Sequence, residues 1–351
     1  METLELLKTL TEAAGPSGFE GNVAAIIREL WMPYVDEIRT DALGNLIAVQ
    51  HGNGPEPRPA LMAAAHSDEI ALIVKGSEDG FLQIGSLGGM DRRVLLGLAV
   101  TVHAEEPLLG VIGSRPPHVL TPAEREETLP WHKVFVDVGL PAEEVARRVR
   151  VGDTITFDRP LIELQNGCVA GKACDNRASV AALTLALAAL RQREHSWDFY
   201  AVATVQEEVG CKGAVTSAYG IAPQIAIALD VTFAKQHDDS DPGAFDLNKG
   251  PTVGIGPNFH PQVVEKLKAA GDAGEIPYQI EPLPGSSGTD AWAIQVAREG
   301  IPCGLISIPA RYMHQPVELL SLRDVERAGR LLCEYVAALQ PTDLPRWEDE
   351  A

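Results

Sequence analysis

The chain has 351 residues, room for roughly two domains at about 150 residues each, and its 45% hydrophobic and 22% charged composition excludes intrinsic disorder and a membrane-embedded bundle. Lysine plus arginine number 29 against 49 aspartates plus glutamates, a formal net charge of -20 that repels polyanions. Nucleic acid and anionic membrane surfaces are therefore poor partners, whereas cationic ligands and metal ions are good ones.

In chain order, Leu4, Leu7 and Leu10, then Val23, Ile26, Ile27 and Leu30 after the break at Gly15-Pro16-Ser17-Gly18, predict two amphipathic helices. Their acidic, amphipathic start lacks the basic stretch and apolar core of an export signal, so a cytoplasmic protein is expected. Ile38 to Thr40 and Leu46 to Val49 form a candidate hairpin, and Ala60 to Ala65 a short apolar strand. From Ile70 to about Leu164 short β-rich runs alternate with turns, with only Pro141 to Val149 helical in pattern. The α/β texture then returns: helix Arg177 to Arg191, strands Phe199 to Val205 and Gln224 to Leu229, helices Pro261 to Ala270 and Asp290 to Glu299, and strand Cys303 to Ile308. The longest apolar run, Val180 to Leu190, is well short of the ~20 residues of a membrane span and predicts a buried helix. The cysteines Cys168, Cys174, Cys211, Cys303 and Cys333 are odd in number, without paired close spacing, and are expected to be reduced thiols. The expected organisation is one α/β domain, residues 1–69 and 165–351, interrupted by a β-rich insert at 70–164.

Four apolar runs lead into residues that bind metals well: His66-Ser67-Asp68-Glu69, Gln206-Glu207-Glu208, Asp230 and, through a short loop, His314. Ligands of open α/β sheets bind at the carboxyl ends of strands, so these residues are expected to share one cleft. Asp175, just before a helix, is a fifth candidate. Two histidines and several carboxylates suit zinc, cobalt or manganese, and a further carboxylate is able to bridge two ions. Adjacent Glu207 and Glu208 at a buried strand end are costly unless cations use them; one is suited to hold metal and the other to take a proton from water, an assignment the residues leave open. Asp68 is placed to orient His66. Singly, each has an ordinary explanation, Asp175 as a helix cap or His66 as a satisfied polar residue; their joint occurrence at strand and helix mouths is harder to explain that way.

Other features carry less. His237-Asp238-Asp239-Ser240-Asp241 precedes Pro242-Gly243 and is expected to be a polar loop. Gly285-Ser286-Ser287-Gly288-Thr289-Asp290 lacks the lysine of a phosphate loop and predicts a turn into a helix capped by Thr289 or a neighbour. No Gly-x-Ser-x-Gly elbow supports a serine hydrolase, and no internal repeat supports a solenoid.

Taken in order and spacing, His66-Ser67-Asp68-Glu69, Lys172 to Arg177, Gln206 to Gly210, Leu229 to Thr232, Lys249-Gly250-Pro251, Gly288 to Ala291 and Arg311 to His314 resemble the TET-type metallo-aminopeptidases, the glutamyl aminopeptidase family, over nearly the whole chain. The resemblance implies a mixed-sheet zinc-peptidase-like α/β fold with a PDZ-like or barrel-like dimerisation insert, and a tetrahedral dodecamer. It also implies two divalent ions per subunit, zinc or cobalt first and manganese next. His66 and Asp230 would hold one, Glu208 and His314 the other, with Asp175 bridging, Asp68 orienting His66 and Glu207 as general base. The implied substrates are peptides with a free N-terminus. This chain departs from the family in Gln315-Pro316, where serine then proline is common, and in Cys174 beside the bridging aspartate, where oxidation sensitivity is expected. The competing readings are a related di-zinc deacylase and an inactive scaffold relative; paired-carboxylate glycan hydrolysis ranks last because Glu207 and Glu208 are adjacent.

Overall fold

In the computed structural model, which describes residues 2–122, 129–237 and 243–346, helices α1 (Thr3–Glu12) and α2 (Gly21–Trp31) precede the hairpin β1 (Glu37–Thr40) and β2 (Leu46–Gln50) and the buried strand β3 (Ala60–His66). The chain then leaves this sheet. β4 (Ala71–Glu78), β5 (Phe81–Leu87), β6 (Ala99–His103), β7 (Leu108–Gly113), β8 (Phe135–Asp137) and β9 (Thr154–Phe157) close into a barrel in the order β4-β5-β8-β7-β6-β9. Alternation explains its interior: Leu72 and Val74, Leu82 and Ile84, Val100 and Val102, and Ile155 and Phe157 point inward two residues apart along their strands and pack as one cluster. Each such side chain contributes about 1.5–3 kcal/mol by leaving water. The helix α3 (Ala142–Arg148) seats Val145 against the same cluster.

The chain re-enters the first sheet through β10 (Ile162–Glu163), β11 (Cys168–Gly171) and the helix α4 (Cys174–Leu190). α4 is apolar nearly all round because it is covered on both sides, by the sheet and by the terminal helix α8 (Leu322–Ala338). Gly329 makes the close crossing possible: a Cβ there would lie 2.6 Å from the Ala182 carbonyl oxygen. Between α4 and α8 run β12 (Asp198–Thr204), α5 (Lys212–Ile221), β13 (Ile225–Phe233), β14 (Thr252–Ile255), α6 (Pro261–Ala273), β15 (Gln279–Pro282), the short α7 (Asp290–Ile294), β16 (Cys303–Arg311) and β17 (Glu318–Ser321). The spine of the sheet reads β1-β2-β12-β3-β13-β16-β17-β11-β10, with β14 and β15 attached to β16. Its centre is parallel: β12, β3, β13 and β16 all run the same way, so their carboxyl ends meet at one edge.

Several expectations need adjustment. Asp290 to Glu299 holds a helix only over Asp290–Ile294, and Thr289 makes no side-chain cap there. β13 and β16 outrun their apolar segments, reaching Phe233 and Arg311, so Asp230 lies within its strand and not at its end. The helices α5 and α8 and the strands β14, β15 and β17 are additional to the elements read from the sequence. The five cysteines are unpaired, and no helix among the described residues is long and apolar enough to cross a membrane.

Candidate metal centre

Strand register brings the first residues together. Thr204 of β12 pairs with His66 of β3, while Ala64 of β3 pairs with Ala228 of β13; two residues further along both strands, His66 comes level with Asp230. The His66 Nε2 atom is 3.8 Å from Asp230 Oδ1 and 3.1 Å from Asp175 Oδ1. Asp175 reaches the same spot from the start of α4. Its other oxygen, Oδ2, lies 3.5 Å from His314 Nε2, which is in turn 3.7 Å from Glu208 Oε2. Two donor groups result, His66 with Asp175 and Asp230, and Asp175 with Glu208 and His314, each with donor atoms within 4.8 Å of one another. Asp175 belongs to both. The five residues expected as ligands thus converge, and they fit a pair of divalent ions: two imidazole nitrogens and carboxylate oxygens in two groups sharing one member.

Electrostatics supports the same reading. Asp68, Asp175, Glu207, Glu208, Asp230, Asp290 and Glu318 crowd carboxyl groups around two imidazoles, and most are buried. Burial pushes Glu208 and Asp230 well above the usual carboxylate range, with neighbouring Asp175 adding to the rise. Burial alone would lower His66, but Asp175 and Asp68 beside it carry the imidazole well above its ordinary value. Cations in this space relieve both effects. The open side is marked by His314, whose side chain is 47% exposed while that of His66 is 2% exposed.

Asp68 does more than face His66 Nδ1 at 3.4 Å. Its Oδ1 accepts the Glu207 backbone N–H at 3.0 Å and its Oδ2 the Glu208 N–H at 3.1 Å, with a further bond from the Ser17 hydroxyl. One buried carboxylate therefore sets the approach of both glutamates. Behind it, Glu69 pairs with the buried Lys172 ammonium at 2.7 Å and accepts the Gly15 N–H at 2.9 Å, while Arg177 donates to the Leu10 carbonyl at 2.7 Å. These bonds tie α1 to the floor of the site. The turn following β5 reaches the ligands from the barrel: a Cβ on Gly88, whose φ is +81°, would meet Glu208 Oε2 at 3.2 Å, and one on Gly89 would meet His314 Nδ1 at 3.3 Å. At Gly88 the positive φ favours glycine, and at Gly89 a side chain would press on the His314 ring. Ala173, Gln206, Cys211, Tyr312 and His314 all hold φ between 50° and 61°. Such left-handed residues carry strain of about 1–3 kcal/mol each and cluster where a site dictates the backbone.

Sequence reasoning missed Glu318. Its Oε2 accepts the Asp175 N–H at 2.7 Å and its Oε1 the His314 N–H at 3.1 Å, so one buried side chain ties together two residues of the donor groups. Its only signal is an acid four residues beyond His314 on an otherwise apolar strand. Replacing Glu318 with alanine leaves two N–H groups without acceptors, at about 1–3 kcal/mol each, and is expected to weaken metal affinity about 10–100-fold, measured by competition with a chelator. Asp290, read as part of a turn into a helix, does open α7, and its side chain is buried beside Glu207, accepting from the Thr204 hydroxyl at 2.5 Å. Cys174 does not fit the oxidation-sensitive expectation: its thiol is fully buried, turned toward the Gly171 and Glu318 carbonyls at 3.9 Å, and burial holds it well above the usual thiol range. Just before the expected polar loop, Lys235 pairs with Asp246 at 3.3 Å, and Asp238 to Pro242 of that loop lie outside the described residues.

Fold and site define a metal-dependent peptidase class: a mixed sheet whose parallel centre, with the start of α4 and the loop after β16, gathers histidines and carboxylates, interrupted by a closed barrel. The family model described as M42 glutamyl aminopeptidase matches residues 44–331, and the chain belongs to that family of metal-dependent aminopeptidases. It is 36% identical over 346 residues to a lysyl aminopeptidase of Pyrococcus furiosus, covering 97% of this chain and 98% of the relative. The solved TET aminopeptidase of the marine-sediment archaeon Thaumarchaeota archaeon SCGC AB-539-E09 superposes with a TM-score of 0.90 at 38% identity, covering 97% of this chain and 98% of that one. The TET1 peptidase of Pyrococcus horikoshii, which assembles into a tetrahedron or a large octahedral shell, superposes with a TM-score of 0.85 at 30% identity, covering 96% of this chain and 100% of that one.

Proposed function

We propose that the chain is a two-metal aminopeptidase in which His66 and Asp230 hold one ion, Glu208 and His314 the other, and Asp175 bridges them. The observation that carries this reading is the double membership of Asp175, one oxygen 3.1 Å from His66 and the other 3.5 Å from His314. Zinc or cobalt suits the mixed nitrogen and oxygen donors best, with manganese next. Bound ions supply Lewis-acid polarisation of the scissile carbonyl and acidify water. The protein's own residues do the rest. Glu207 takes the proton of the attacking water on its carboxylate and returns it to the departing amine nitrogen. Asp68 holds the Glu207 backbone and the His66 ring in register for that transfer. The surplus of carboxylates receives the substrate's α-ammonium, which restricts cleavage to peptides with a free N-terminus.

The test is a panel of amino acid anilides after chelation and re-addition of zinc, cobalt or manganese. Activity is expected to return with the metal on free-amine substrates and to stay absent on N-acetylated ones. Turnover of N-acetylated amino acids in preference would favour the deacylase reading, and metal-free protein at neutral pH the inactive scaffold.

We also assign residues 1–69 and 165–351 to a catalytic domain and 70–164 to an insert that pairs subunits on the way to a tetrahedral dodecamer in the cytoplasm. Exposed apolar side chains support self-association: Leu109 and Val111 on the outside of the barrel, and Val215, Tyr219, Trp292 and Val296 on and beside α5 and α7. Trp292→Asp combined with Val296→Asp is expected to yield smaller particles by analytical ultracentrifugation. An unchanged sedimentation coefficient would take that face out of the assembly.

A further inference from the structure

A third cluster of donors lies beside the two groups that share Asp175. The Cys211 thiol, at the mouth of α5, donates to Glu207 Oε1 at 3.2 Å. Asp290 completes the cluster: one donor atom from each of Glu207, Cys211 and Asp290 lies within 4.8 Å of the other two. Asp290 is 2% exposed, Thr204 satisfies its Oδ2, and its Oδ1 has no hydrogen-bond partner among the described residues. A buried oxygen left unpaired beside another carboxylate is unfavourable unless a proton or a cation shares the space. Cys211 is only partly buried, so the cluster is not sealed from solvent.

Resting on the assignment of Glu207 as base, we propose that Glu207, Cys211 and Asp290 form a third, inhibitory cation site. One sulfur and two carboxylates select a borderline-to-soft divalent cation of the zinc and cadmium class over manganese. Binding forms a metal–sulfur bond and releases the thiol proton to solvent, and it occupies the carboxylate that must accept the proton of the attacking water. Excess zinc-class metal would then suppress the activity that the same metal, in stoichiometric amount, sustains.

The experiment titrates cadmium into the metal-loaded enzyme while following the ultraviolet charge-transfer band of a cadmium–thiolate bond and, in parallel, turnover. A band that grows with one further equivalent of cadmium, disappears in Cys211→Ser and weakens in Asp290→Asn, with manganese producing none, supports the site. Inhibition in Cys211→Ser is expected to need about ten-fold or more excess cadmium, the scale on which losing one donor alters affinity. No band in the wild-type enzyme, or a band that persists in Cys211→Ser, overturns it. A site that fills while turnover is unaffected leaves the cation site standing and removes Glu207 from the base role, so the two failures are distinguishable.

Discussion

Glu207→Gln is expected to keep its metal content and lower kcat by about 10²–10⁴-fold, the range a positioned general base supplies. Glutamine matches the shape of glutamate and accepts from the Cys211 thiol as the carboxylate does, but it does not take up a proton at neutral pH. The choice of Glu207 over its neighbour rests on geometry. Glu208 Oε2 faces His314 at 3.7 Å and belongs to a donor group that includes Asp175, whereas Glu207 belongs to neither group containing Asp175. Glu207 Oε2 lies 3.8 Å from His66 Nε2, as far as Asp230 Oδ1 does, so membership of the donor groups and not this distance sets it apart; its side chain is 12% exposed. Elemental analysis and steady-state kinetics on one preparation check the prediction. Near-normal turnover with full metal would assign the proton transfer elsewhere.

Asp175→Asn is expected to empty both metal positions, while Asp230→Asn empties one. The difference follows from the two oxygens of Asp175 facing opposite ways, toward His66 and toward His314, whereas Asp230 Oδ1 faces His66 alone among the histidines. An amide in place of the shared carboxylate removes negative charge from both positions and offers one neutral oxygen in place of two charged ones. Metal bound per chain after dialysis separates the outcomes. Equal losses in the two variants would mean that Asp175 serves a single ion and does not bridge. Thermal unfolding of the same variants reports a second consequence, because ions that bind only the folded chain stabilise it. Asp175→Asn should therefore lose the metal-dependent increment in Tm altogether.

The site's outline was legible because buried parallel strands write themselves as short uninterrupted apolar runs. Leu61 to Ala65 and Ile225 to Leu229 are such runs, and the polar residue that follows each one, His66 or Asp230, faces the cleft, although β13 continues past Asp230 to Phe233. Motif spacing added the family, and with it the expected roles of His66, Asp175, Glu208, Asp230 and His314. The β-rich texture between Ile70 and Leu164 likewise forecast a separate β insert, since alternation of the Leu72-Val74 kind is local, whereas closure into a barrel, one of two forms the resemblance implied, was decided by the strand pairing. The amphipathic helix α8 is not among the expected elements, although Val325, Ala328, Leu332 and Tyr335 recur at helical spacing on its buried face.

What sequence alone determined here is local or cumulative: strand and helix periods, the chemistry of each donor and the order of the motifs. Pairings across long sequence separations were decided only by the tertiary structure. Glu318 is 143 residues from the Asp175 N–H it accepts, Asp68 is 139 from that of Glu207, and Asp290 is 86 from Thr204. No spacing rule links such residues, because the partner of a buried polar group is chosen by whichever backbone or side chain the packed sheet brings within hydrogen-bond reach. The same reason separates Glu207 from Glu208. Adjacent and chemically identical in sequence, they diverge only once the turn after β12 sends one toward His314 and the other toward Cys211 and Asp290.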